Sequence, residues 1–117
     1  MSSSDEFYII QCTLNYAYVK DTPNRYLAFD GEIPTVVYKD DSDFLSQVAR
    51  YNSEAEAITK IKEVLSITTD KSWSIHDRIN ITQVRNNNKY SVVKCKIEDD
   101  HLVEISKSNI AELDRHW

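Results

Sequence analysis

The stretch Ser53-Glu54-Ala55-Glu56-Ala57-Ile58-Thr59-Lys60-Ile61-Lys62-Glu63-Val64-Leu65 decides the architecture. Ser53 followed three residues later by Glu56 is a capping box, in which each side chain satisfies a backbone amide that the first helical turn leaves unpaired. Behind it, Ala55, Ile58, Ile61 and Leu65 recur at helical spacing, while Glu54, Lys60, Lys62 and Glu63 fall largely off that stripe. Residues 54–66 therefore read as a helix that lays one apolar stripe on a sheet.

The flanking sequence supplies the sheet. Residues 7–20 are rich in aromatic and β-branched types and read as a strand that continues beyond Asn15. Asp21-Thr22-Pro23-Asn24 is turn chemistry. Arg25 to Phe29 reads as the returning strand, Asp30-Gly31 as a tight turn, and Thr35 to Tyr38 as a third strand. Phe44 to Tyr51 is open between a helical turn and a strand. On the far side of the helix, Ile79 to Val84 begins with alternation and reads as a strand. Asn86-Asn87-Asn88-Lys89 then serves as a hairpin turn, and Tyr90 to Ile97 as the partner, with Val93, Cys95 and Ile97 on one face and Lys94 and Lys96 on the other. His101 to Ile105 adds a further strand. Asn109 with Glu112 is placed to cap a short C-terminal helix ending near Trp117. The expected fold is α+β, a mostly antiparallel sheet packed by one main helix (54–66) and a short C-terminal helix. Residues 1–6 are expected to be a disordered leader and 7–117 a single domain.

Composition bounds the function. The chain has 117 residues, 41% of them hydrophobic and 28% charged, which suits one modest core. It holds one glycine, Gly31, so no glycine-rich phosphate loop is present. Cys12 and Cys95 form no CxxC pair. A long-range disulfide stays open, and two reduced core thiols are the simpler reading. The acidic start lacks a secretory pattern, and no apolar run approaches the roughly 20 residues that span a bilayer, so the expectation is a cytoplasmic protein.

The net charge of −5 is unevenly distributed. Residues 1–66 hold eleven acidic residues against six basic ones, whereas 67–117 hold eight of each. Such a field opposes direct contact with nucleic acid or anionic lipid and favours a basic partner surface. Asp30, Glu32, Asp40, Asp41 and Asp43 span fourteen residues with Lys39 the only base among them. On one edge of the fold they would imitate a run of phosphates. Acidic loops kept for solubility are the simpler alternative. Tyr16, Tyr18 and Tyr26 flank one hairpin and form either a partner-binding patch or part of the core edge. His76-Asp77 and Asp99-Asp100-His101 are the only groupings with acid–base or metal character, and neither has a partner at fixed spacing. No catalytic residue, metal site or cofactor is assigned. Trp73 reads as a core plug and Trp117 as a dimer or partner contact, with a homodimer one open arrangement.

Tyr8-Ile9-Ile10, then Arg25-Tyr26-Leu27, then Val48-Ala49-Arg50-Tyr51 running into Ser53-Glu54-Ala55-Glu56-Ala57, resembles a group of small phage and prophage proteins. The resemblance covers residues 7–66. It departs where those proteins often carry a tryptophan between hairpin and helix, since Val36-Val37-Tyr38 stand there instead. It implies a mobile-element origin and a small α+β fold, with no chemistry attached. Compact acidic phage proteins are often inhibitors of host defence, anti-CRISPR proteins among them. The leading expectation is an inhibitor that binds a host protein with a basic surface, a nucleic-acid effector. The alternatives are a sponge for a signalling nucleotide and a metal-dependent nuclease using His76 or His101.

Overall fold

The computed structural model describes residues 6–13, 25–67, 73–85 and 89–110. The described elements run β1 (Phe7–Thr13), β2 (Arg25–Asp30), β3 (Ile33–Tyr38), α1 (Phe44–Gln47), α2 (Glu54–Leu65), α3 (Ile75–Arg85), β4 (Lys89–Glu98) and β5 (His101–Asn109). The five strands form one antiparallel sheet in the order β3-β2-β1-β4-β5. This is the α+β fold expected.

Both faces of the central strands are buried, which explains their doubled apolar residues. Side chains alternate across a strand, so Ile9-Ile10 and Val92-Val93 feed two separate cores. On one face Ile10, Cys12, Leu27, Tyr90 and Val92 pack under α2 through Ala57, Ile61 and Val64. On the other, Phe7, Ile9, Tyr26, Ala28, Val93 and Cys95 pack under Phe44 and Val48. The cysteines thus lie on opposite faces, and both are free thiols. Burial pushes Cys12 up to about 12 and Cys95 up to about 11.

A wedge in the sheet joins the two layers. β1 and β2 meet at Gln11 and Tyr26. Beyond that pair the segment 48–51 stands between them. Ala49 N–H donates to the Leu27 carbonyl at 3.0 Å, while Tyr8 and Tyr51 exchange two backbone hydrogen bonds at 2.8 Å. Val48 belongs to one core and Tyr51 packs on the other, so the chain crosses the sheet here. Arg50 steadies the crossing, its guanidinium 4.7 Å over the Phe7 ring and its Nη2 donating to the Leu45 carbonyl.

Helix α2 begins as its sequence demands. Ser53 Oγ accepts the Glu56 amide at 3.1 Å, and Glu56 Oε2 accepts the Asn52 amide at 2.9 Å, one residue earlier than a strict capping box. Its buried stripe is Ala57, Ile61 and Val64, flanked by Ile58 and Leu65, while Ala55 is exposed. The true face is thus centred beside the expected one.

Residues 79–84 correct the expectation of a strand: they belong to α3. Ser74 Oγ accepts the Asp77 amide at 3.1 Å, which starts the helix. Ile81 and Val84, three apart, are buried, whereas Ile79 is 60% exposed. The alternation of Ile79 and Ile81 therefore carried no information about sheet faces. Tyr90 pairs with Cys12 of β1, not with 79–84, and its hydroxyl donates to the Val84 carbonyl at 2.6 Å. The strand continuation at 14–20, the turns at 21–24 and 86–88, and the C-terminal helix lie outside the described residues, apart from Asn109. Asn109 closes β5, and its Oδ1 accepts the Ser91 hydroxyl at 2.7 Å.

Candidate functional site

The acidic residues fall into two groups, one at each end of β3. Asp30 and Glu32 flank Gly31 in the turn between β2 and β3, where Gly31 takes φ +66°. Asp40, Asp41 and Asp43 follow the strand. A strand of six residues separates its ends by about 17 Å, so the five do not form one continuous row.

The second group is the better ordered. Asp41 Oδ2 accepts the Tyr38 amide at 3.2 Å, and the Asp41 amide donates to the Tyr38 carbonyl at 2.9 Å. The Asp43 carbonyl accepts the amides of Ser46 and Gln47. Asp40, Asp41 and Asp43 are exposed and form no ion pair with a described residue. Beside them stands Tyr38, 44% exposed. Sequence reasoning did not single out Tyr38. Its place in an edge strand, one residue out of phase with buried Val37, is the signal that could have found it.

Tyr26 is only 3% exposed and meets Phe44 edge-on, the ring centroids 5.3 Å apart. Burial first, then the charge of Glu104, pushes its phenol up. It is a core side chain, and so cannot offer its ring as a stacking or contact surface. Tyr16 and Tyr18 lie outside the described residues, as does the side chain of Asp30. His76 sits on α3 and His101 opens β5, so the two histidines are on different elements. Among the described residues no group of three or more histidine, cysteine, aspartate or glutamate side chains is placed to hold a metal.

Glu32 of the first acidic group lines a cleft of about 610 Å³ between the β2–β3 turn and the C-terminal half of α2. Phe29 and Val64 supply apolar lining, and Glu32, Tyr51, Lys60 and Glu63 the polar groups. Lys60 Nζ lies 4.9 Å over the Phe29 ring and 3.8 Å from Glu63 Oε1. Burial, followed by the charges of Glu63 and Cys12, pushes the Tyr51 phenol up to about 12, which keeps it a neutral donor.

Fold and site together define an α+β protein with an exposed acidic turn and a separate mixed-polarity cleft. Comparison with protein-family models, curated proteins and solved structures gives no match. No helix among the described residues is long and apolar enough to cross a membrane.

Proposed function

We propose that this chain is a binding protein that engages a basic surface of another protein, acting as a phage-type inhibitor of a nucleic-acid effector in the host cytoplasm. The observation that carries it is the turn after β3, where the exposed carboxylates of Asp40, Asp41 and Asp43 stand beside the exposed ring of Tyr38. Exposed carboxylates raise the local concentration of a cationic partner and its encounter rate. A neighbouring tyrosine supplies the rigid apolar contact that hot spots favour. The separation of the two acidic groups narrows the contact to this turn rather than a phosphate-like row of five.

The test is affinity capture from the source cells with the wild-type chain and an Asp40→Lys, Asp43→Lys variant. Asp41 is kept because its carboxylate holds the Tyr38 amide. A basic protein captured by the wild type is expected to fall at least tenfold in the variant, with the thermal unfolding midpoint unchanged. Equal capture by both proteins would overturn the reading. The nucleotide sponge draws less support, because the cleft sets Glu32 and Glu63 against the single ammonium of Lys60.

A further inference from the structure

We infer that the cleft between α2 and the β2–β3 turn receives a guanidinium or ammonium side chain, the lysine or arginine of a basic partner. The inference rests on the reading that the partner is basic, and it adds a second contact about one strand length from the acidic turn.

The chain itself shows what the cleft accepts. The Lys60 ammonium stands 4.9 Å over the face of Phe29 and 3.8 Å from Glu63. That is a cation held by a ring quadrupole and a carboxylate. Lys60 therefore models the guest while leaving most of a 610 Å³ space open. The remaining groups favour a second cation. Glu32 and Glu63 outnumber Lys60, and the cleft takes in Ser66, where the C-terminal end of α2 adds its partial negative charge. Tyr51 adds an apolar ring and a polar hydroxyl at the wall. An anion such as a phosphate would meet two carboxylates and one partly neutralised ammonium, and would be rejected. A planar guanidinium can lie on Phe29 while bonding Glu63, if Lys60 swings aside on its flexible stem.

The experiment titrates the full chain with acetyl-glycyl-arginyl-glycine amide and with the same peptide carrying neutral citrulline, following the ring resonances of Phe29 and Tyr51 by NMR. Saturable shifts are expected with the arginine peptide alone. Phe29→Leu should weaken binding about fivefold, the range of one cation–π contact. Glu63→Gln, an exposed change that spares the core, should weaken it comparably. Lys60→Met, which keeps the aliphatic stem and removes the competing charge, should tighten it about fivefold. An equal response to the citrulline peptide, or an Lys60→Met protein that binds arginine no better than wild type, would overturn the proposal. The Asp40→Lys, Asp43→Lys protein should bind the peptide as wild type does. Loss of partner capture with intact peptide binding, or the converse, thus separates the failure of one reading from the failure of the other.

Discussion

The two edges of the sheet are managed in different ways. β3 is short, carries Pro34 with no amide to offer, and has α3 packed against it. β5 is nine residues long and largely exposed from Glu104 to Asn109. Its protection is a bulge. The register slips between Lys94 and Cys95 of β4, so that Ile105 is the unpaired residue, 43% exposed. A bulge bends the strand and sharpens its twist, and it brings Glu104 and Lys107 to the same face. The lesson is that one end is closed by tertiary packing, whereas the other is blunted by a single inserted residue and a lysine.

That contrast can be broken at either end. The largest effect is expected from Ile81→Ala, because Ile81 is fully buried where α3 enters the core. A loss of about 2–5 kcal/mol, read by chemical denaturation, would show that the helix is fastened by packing. A loss below about 1 kcal/mol would mean that α3 adds little to this side of the molecule. Tyr90→Phe removes the hydroxyl that ties β4 to the Val84 carbonyl and should cost about 1 kcal/mol. An unchanged midpoint would show that water replaces the bond.

Deleting Ile105 tests the other edge. It restores an unbroken register and should make the protein associate more steeply with rising concentration than wild type does, as seen by light scattering. If the deletion variant stays as dispersed as wild type, the bulge is not what guards the strand. The smallest effect belongs to the turn that leads into β5. Asp99 and Asp100 adopt φ of 52° and 66°, a left-handed geometry that costs side chains with a Cβ. Asp100→Gly should therefore stabilise by about 0.5–1 kcal/mol, and a lowered melting temperature would contradict the strain.

Legibility followed the redundancy of local signals. Helix α2 announced itself three times, through Ser53, through Glu56 and through a long apolar stripe, so an error of one face position did no harm. Helix α3 had one usable cue, Ser74 ahead of Asp77, and two isoleucines spaced as a strand would space them. Ile75 and Ile79 are exposed, which diluted the helical pattern further. The site was legible in kind but not in arrangement. The carboxylates were countable, yet their division between the two ends of β3 depends on where that strand begins and ends. The cleft was invisible, because Phe29, Tyr51 and Lys60 are brought together only when α2 packs on the sheet. Tyr26 stayed open between a partner contact and the core edge because nothing in its neighbours announces Phe44 beside it.

By itself the chain of residues determined the α+β class, the position of α2, the existence of a sheet with β4 in it, and an acidic first half. These follow from spacing, capping and charge, which act within a few residues and need no partner. Only the tertiary structure decided that β1 sits between β2 and β4, that 48–51 crosses the sheet, and that Lys60 faces Phe29. Those outcomes are contacts between segments remote in sequence, selected by which arrangement buries both faces of β1 and β4 together.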